Sequence, residues 1–418
     1  MVAHFVAAAA RRQPTVSSAT DITPIYNGRM QTIMPSESTS SPSVLMLIAG
    51  AKGAIGTTVA LCSAQLRQDP ESILSGLTTA LRFVDLGDPA HIAVAGWDKL
   101  QTPIEEALGR HGVLPESLWR AHAAHLSQID IRPAPPENAL LAEQVEAIRG
   151  DMRHFLARWP SAQPVLVNLL PAAWDIAQLH RLETLDEMLK VSAPLPDLAY
   201  VLAAVLSDIP VVNFTPNTVE FPVVCREAGR RGVPLAGRDG KTGQTYLKVV
   251  LASALKARAL YVDGWYSLNI LGNADGRNLM DPDRACGKLA NKTQLLDEIL
   301  GYKVGAAYGE CSHKVHIDYY PPRGDAKEAW DVIDFKGIFG LPMSLRLNLQ
   351  GRDSILAAPM TIDLARWAAA LKKAGIGGPV PELGFYFKKA VGDGAPLTFQ
   401  EQLAALDRLE QKIRGERK

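Results

Sequence analysis

One stretch constrains the fold more than any other: the apolar run Val44–Leu45–Met46–Leu47–Ile48 followed at once by Ala49–Gly50–Ala51–Lys52–Gly53–Ala54–Ile55–Gly56. A run with no polar alternation suits a strand buried on both faces of a parallel sheet. Glycines spaced G-x-x-G-x-x-G permit a sharp turn, and the residues after them suit a helix. Strand, glycine turn and helix in that order present backbone N–H groups and a helix N-terminus to a pyrophosphate. The backbone of Gly50, Ala51, Lys52, Gly53, Ala54, Ile55 and Gly56 is therefore the expected dinucleotide cradle. The plainer reading is a tight strand-to-helix turn without a ligand.

The pattern continues. A second strand, 91–96, ends in Trp97–Asp98, where a dinucleotide fold places an acidic residue for the adenine ribose. The gap from Gly56 is about twice the usual ~20 residues, which requires an insertion. A cap or turn role for Asp98 is equally consistent. Apolar runs at 165–170 and 211–214 read as further strands. Helical patterns cover 103–108, 115–126, 139–158, 172–191, 197–206, 219–231 and 246–257. Strands alternating with helices at this spacing predict an α/β chain with a doubly wound parallel sheet.

At 418 residues the chain exceeds one compact core, so two domains are expected. Lys plus Arg (44) balances Asp plus Glu (44), which argues against a polyanion-coating protein and so against a nucleic-acid partner. Four scattered cysteines without a C-x-x-C pair suit a reduced, cytoplasmic setting. No apolar run reaches the roughly 18–20 residues of a membrane span. Residues 1–42, rich in Ser, Thr, Pro and Ala, read as a mobile leader.

Beyond residue 258 the character changes. An apolar strand-like run, 259–271, enters the turn Gly272–Asn273–Ala274–Asp275–Gly276. Alternating runs at 314–319, 332–335 and 343–349 then predict a half-exposed antiparallel sheet. The polar turn 238–245 opens a helix and is a second place for a phosphate at a helix start. After Asp353 an amphipathic helix closed by Gly375 is expected, and Thr398 with Glu401 forms a capping box for the last helix. These boundaries divide the chain into 43–270, a dinucleotide-binding unit; 271–358, a β-rich insertion; and 359–418, helices returning to the first unit.

Lys288, Lys292, Lys327 and Lys388 accompany these turns, with Asp239, Asp275, Asp325 and Asp353 at similar places. Any one lysine is most often a solvated surface residue. Clustered in a closed pocket, lysines stabilise a developing alkoxide or enolate, hold a phosphate, or move a proton. The carboxylates orient such lysines or, with Asn273, offer oxygens to a monovalent or divalent cation. His122 and His125 read as a solvated helix face rather than a metal pair.

Four motifs carry a family resemblance: Asn269-x-Leu271–Gly272–Asn273-x-Asp275–Gly276-x-Asn278–Leu279; Gly237-x-Asp239-x-Lys241-x-Gly243–Gln244–Thr245; Gly324–Asp325-x-Lys327; and Asp353–Ser354-x-Leu356–Ala357–Ala358–Pro359. In order and spacing they resemble the inositol-3-phosphate synthase (myo-inositol-1-phosphate synthase) family, over roughly residues 44–392. The resemblance implies a Rossmann-like domain with an inserted α+β catalytic and oligomerisation domain, a homotetramer, and bound NAD. It also implies redox-neutral cyclisation of glucose 6-phosphate: oxidation at carbon 5, enolisation, intramolecular aldol closure and re-reduction to inositol 3-phosphate.

Carried over residue by residue, the catalytic set is Lys288, Lys292, Lys327, Lys388, Asp239 and Asp353. Lys288 and Lys327 would serve the carbon-5 oxygen, Lys292 and Lys388 the phosphate and aldehyde oxygen. Asn269, Gly272, Asn273 and Asp275 join the four lysines around the substrate. Beside the glycine turn, Asp98, Asn168, Asp239, Asn273, Asp275, Asp325 and Asp353 are expected near the cofactor. The family's Ser-Lys-Glu-Ile-Ser-Lys-Ser here reads Gly287–Lys288–Leu289–Ala290–Asn291–Lys292–Thr293, and its Asn-Asn-Asp-Gly reads Asn273–Ala274–Asp275–Gly276. These departures keep fructose 6-phosphate open as the alternative substrate, closing a five-membered ring. An ordinary NAD-dependent sugar-phosphate dehydrogenase is the remaining rival.

Overall fold

The computed structural model describes residues 43–80, 82, 91–173, 176–192, 195–273, 276–277, 280 and 295–415. Six strands open the first sheet: β1 (Val44–Ala49), β2 (Ile92–Asp98), β3 (Ile131–Pro133), β4 (Gln163–Asn168), β5 (Val211–Asn213) and β6 (Pro234–Gly237). A late two-residue strand, Gly378–Pro379, completes it in the order Gly378–Pro379, β6, β5, β4, β1, β2, β3. All neighbours pair in parallel. Chain order reverses direction between β1 and β4, which makes that the topological switch point of a doubly wound sheet.

Register levels the carboxyl ends. Ala49 lies opposite both Trp97 and Asn168, Asn168 opposite Asn213, and Asn213 opposite Gly237. The glycine turn, Asp98 and the loop after Gly237 therefore leave the sheet along one edge. Gly96 is what lets β2 lie this close, since a Cβ there would stand 2.1 Å from the Ile48 carbonyl oxygen.

β1 is buried along its whole length, with alternate residues in two cores. Leu45 and Leu47 meet α3 (Leu141–Arg158), α4 (Pro196–Leu206) and α5 (Pro222–Arg230). Met46 and Ile48 meet α1 (Ala54–Gln68) and a later helix, Asp353–Lys373. Between α1 and α3, α2 (Ile104–His111) packs on α1 through Ile104 and Leu108.

After α6 (Gly243–Ala257), a second sheet forms from β7 (Tyr261–Leu271), β8 (His313–Tyr319), β9 (Lys327–Lys336) and β10 (Pro342–Gly351), in the order β10, β9, β7, β8. It buries Trp265 and Ile333 against Val249 and Ala252 of α6. The chain then returns to the first sheet through α7 (Asp353–Lys373), whose Ala357, Ala358, Ala365 and Ala368–Ala370 allow close packing, and α8 (Phe399–Ile413).

Four local expectations are corrected. Residues 172–191 form no single helix: a 3-10 turn, Ala177–Arg181, precedes a short helix, Leu185–Leu189. Thr184 and Glu187 satisfy each other's backbone donors there, and that capping box starts a fresh helix. Residues 116–126 break into three short turns, and His122 turns inward to Gln65 at 2.7 Å instead of facing solvent. The second sheet is mixed, because β7 and β8 run parallel; the long excursion between them lets the chain re-enter in the same direction. α7 starts at Asp353 itself and is buried nearly all round, so it is a core helix rather than an amphipathic one.

The crossing at Gly96 gives the first expected outcome. Gly96→Ala places a methyl against backbone that cannot rotate away, and should lower stability by about 3 kcal/mol, read as a fall in the urea midpoint.

Candidate active site

The site is built where the loop after β6 meets the ends of the second sheet. Asp239 holds a left-handed backbone (φ 61°), and its N–H donates to Thr215 O at 2.8 Å. Gly240 lies flat on Phe214, where a Cβ would come within 2.1 Å of the ring. On the other side Gly240 pairs with Phe387, and Lys388 N–H donates to Asp239 O at 2.8 Å. This brings the Lys388 ammonium to Asp239 Oδ1 at 2.7 Å, with both side chains buried.

A second pair lies at the start of β9. Lys327 is opposite Gly351, two residues before α7 begins, so Lys327 Nζ reaches Asp353 Oδ2 at 3.1 Å. The other oxygen of Asp353 accepts from Thr242 Oγ1 at 3.1 Å. Thr242 is the N-cap residue of α6, yet its hydroxyl is turned to Asp353, and the first turn of α6 has neither a side-chain cap nor an acidic residue. Its N-terminal amides remain suited to an anion.

The turn after β7 closes the group. Asn273 Nδ2 donates to Asp325 Oδ1 at 3.2 Å, and Ser354 Oγ reaches the same oxygen at 3.4 Å. Gly272 has no room for a Cβ, which would stand 2.3 Å from Gly324 N; this keeps the Asn273 and Asp325 turns together. Burial, reinforced by the nearby Asp353, raises the Asp325 carboxyl above its ordinary pKa.

Orphaned oxygens mark the site most directly. Among the described residues, three buried side-chain oxygens have no hydrogen-bond donor: Asp239 Oδ2, Asn269 Oδ1 and Asp325 Oδ2. All three belong to residues selected by sequence. A buried unsatisfied acceptor costs about 1–3 kcal/mol, so each of these fits a ligand or side chain that brings hydroxyl, amide or ammonium donors.

At the switch point, Gly53 caps α1 without a side chain and the helix carries no acidic residue in its first turn. Gly50 takes φ 86°, and a Cβ on Gly56 would lie 2.6 Å from Ala51 O, so only glycine lets α1 start this close to the turn. Asp98 Oδ2 accepts from Lys52 N at 2.7 Å and Oδ1 from Leu100 N at 2.9 Å, leaving lone pairs on both oxygens. Lys52 itself donates to Leu100 O at 2.7 Å, and burial lowers its pKa against the pull of Asp98. The amides of Gly50, Ala51, Lys52 and Gly53 are spent within the turn, on Trp97 O, Asp98 and Gly50 O. The amides of Ala54, Ile55 and Gly56 that open α1, with the glycines and the acidic strand end, are therefore the groups that fit a dinucleotide.

Not every selected residue converges. Asn168 is fully buried and donates to Asp197 at 2.6 Å and Asn213 at 3.0 Å, so its side chain ties β4 to β5 and α4. Lys288, Lys292 and Asp275 lie outside the described residues. Two further buried lysines had been given no role, Lys241 although it stands in one of the motifs, and Lys248. Lys241 bonds Gly384 O and Gln402 Oε1. Lys248 bonds His313 and Ser267 beside Asp331. Their signal was positional: Lys248 falls four residues after Gln244 on the buried face of α6. Among the described residues no three His, Cys, Asp or Glu side chains gather as metal ligands, and no helix is long and apolar enough to cross a membrane.

Sheet order, glycine turn and edge loops define a Rossmann-like α/β protein with a lysine–carboxylate site built on a second sheet. The family model for myo-inositol-1-phosphate synthase matches residues 243–354. The chain is 33% identical to inositol-3-phosphate synthase 1 of Bacteroides thetaiotaomicron, over 81% of this chain and 83% of that protein. It is 30% identical to inositol-3-phosphate synthase 1 of Mus musculus over 66% of this chain, spanning 54% of that longer relative. Its fold is similar to the crystal structure of inositol-3-phosphate synthase from Caenorhabditis elegans, with a TM-score of 0.78, 21% identity, and 90% and 86% of the two chains covered. The chain belongs to the inositol-3-phosphate synthase family.

The orphaned oxygens predict a trade between stability and function. Asn269→Leu removes an unsatisfied acceptor and should leave ligand-free thermal stability unchanged or raised by about 1 kcal/mol. The same change should weaken sugar-phosphate binding at least tenfold, measured by calorimetry. Unchanged affinity would remove Asn269 from the site.

Proposed function

We propose that this chain catalyses the NAD-dependent, redox-neutral cyclisation of a hexose 6-phosphate, with glucose 6-phosphate giving inositol 3-phosphate. One observation carries the reading: the Lys327–Asp353 pair, the Asp239 half of the Lys388–Asp239 pair and all three orphaned buried oxygens fall on the four motifs that resemble the inositol-3-phosphate synthase family.

Asp98 and the amides opening α1 are the groups that would hold the dinucleotide, at the carboxyl edge of the first sheet. A dinucleotide held there would supply the hydride acceptor and donor for carbon 5. The chain's own part is charge and proton management. Lys327, oriented by Asp353, holds a proton at the carbon-5 oxygen, together with Lys288. Lys388, oriented by Asp239, and Lys292 serve the phosphate and the aldehyde oxygen, where the aldol step develops negative charge. The open N-terminus of α6 supplies amide donors for the phosphate. Asn269, Gly272, Asn273 and Asp325 complete the lining, Asp275 is assigned to the substrate from its motif alone, and a monovalent or divalent cation would take its oxygens from Asn273 and single neighbouring carboxylates.

The same proposal includes a cytoplasmic homotetramer assembled through the second sheet. Tyr266 and Trp330 on its strands, and Ile338 (80% exposed), Phe339 (88%) and Leu341 (65%) at the β9–β10 turn, support that face as an interface.

Purified protein incubated with NAD and glucose 6-phosphate should consume the sugar without lasting absorbance at 340 nm, and product NMR should show a six-membered carbocycle. Accumulating NADH would identify a dehydrogenase instead, and turnover of fructose 6-phosphate to a five-membered ring would identify the alternative cyclase. Lys327→Ala and Lys388→Ala should each reduce kcat by about 10²–10⁴-fold.

A further inference from the structure

Lys241 is 2% exposed, and its hydrogen-bond acceptors are uncharged: Gly384 O at 2.9 Å and Gln402 Oε1 at 2.7 Å. A lysine so deeply buried with no carboxylate among those acceptors is rare, because desolvating an ammonium is expensive. Burial lowers its pKa to about 7, so the price of keeping it there is visible in its own proton affinity.

What the residue touches explains its retention. Lys241 N–H donates to Tyr386 O at 2.8 Å while its ammonium donates to Gly384 O, so one residue grips the segment ahead of Lys388 at two points. Lys388 N–H donates to Asp239 O, and Arg238 and Lys389 exchange backbone bonds, which continues the contact as a short ladder. The third body is α8. Gln402 on that helix is oriented by its own amide, which donates to Leu397 O at 3.1 Å and Pro396 O at 3.4 Å and so points its oxygen at Lys241. Gly384 and Gln402 also wall a cavity of about 210 Å³ that Phe387 and Lys388 line.

We propose that Lys241 is a positioning residue: it locks the Lys388 segment onto the Asp239 loop and onto α8, and so fixes the geometry of the Lys388–Asp239 pair. This rests on the reading of that pair as reactive. Neither contact with substrate nor proton transfer is assigned to Lys241.

The test uses the full-length protein with NAD and glucose 6-phosphate. Lys241→Met keeps the length and apolar stem while removing the bonds to Gly384 and Gln402. It should lower kcat by about 10–100-fold, the scale of a small displacement of a reacting group, with KM within threefold. Lys241→Met combined with Gln402→Met gives an apolar pair that should recover thermal stability but not kcat, because the grip on Gly384 is still missing. A merely structural lysine would show the opposite, with kcat returning as stability returns, and that result would overturn the proposal. Should Lys241→Met fail to fold, Gln402→Leu alone removes one acceptor and should reduce kcat by about 3–10-fold at constant KM; unchanged kcat there also overturns it. Lys388→Met is the separate control. Full activity in that variant would sink the reading of the pair itself, whatever Lys241 does.

Discussion

Register in the first sheet governs where chemistry can occur in this protein. Because Ala49, Trp97, Asn168, Asn213 and Gly237 stand in one row, every following loop leaves the sheet at the same edge. That row places the glycine turn and the Asp239 loop on one side of the molecule, although almost 190 residues separate them in sequence. It exists only because β2 passes β1 at Gly96 without a side chain between them. A backbone contact of 2.1 Å avoided by one glycine therefore reaches, through strand register, to the ordering of the site.

The second sheet adds charge to that edge. Lys327 enters β9 opposite Gly351 and Asp353 opens α7, so strand pairing and a helix start set their separation. Lys388 and Asp239 are held by backbone bonds between their own segments. In both pairs the main chain fixes the heads before the charges meet, which limits the side-chain entropy that weakens ordinary ion pairs. Preorganised charge of this kind is what a reaction developing negative oxygen requires.

Sequence revealed what is local and hid what depends on partners. The strand, glycine turn and helix at 44–68 were legible because buried strands, glycine turns and helix starts each have a short-range signature. The four motifs were legible through their resemblance to a known family. The direction of β8 against β7 was not, because it is decided by a connection of about forty residues rather than by either strand. Nor was the pairing of Lys388 with Asp239, which lie 149 positions apart. His122 misled because a histidine three residues before another on a helical pattern gives no hint that Gln65 waits beneath it. The burial of Lys241, quoted only as a motif residue, and of Lys248 went unread because lysine is taken as solvent-facing by default, and only tertiary packing overrides that prior.

Buried polar groups in this molecule fall into two kinds, and the contrast separates architecture from function. Asp363 accepts from both the amides and the hydroxyls of Thr78 and Thr79, and Asp197 accepts from Asn168, Thr215 and Asn217. Asp363, satisfied on both oxygens, ties α7 to the Thr78–Thr79 turn, and Asp197, with three donors on Oδ1, ties α4 to β4 and to the loop after β5. Asp239 and Asn269 are comparably buried and Asp325 less so, yet each keeps one oxygen without a donor. Threonine hydroxyls satisfy both oxygens of Asp363, whereas Asp239 and Asp325 on their turns and Asn269 within β7 each keep an open acceptor. A site that must bind several hydroxyls in turn cannot satisfy its acceptors internally, because each internal donor would have to be displaced by the ligand. The unsatisfied oxygens are thus the counterpart of the two lysine–carboxylate pairs: ammonium donors fixed by the main chain, and acceptors left open for the donors of a ligand.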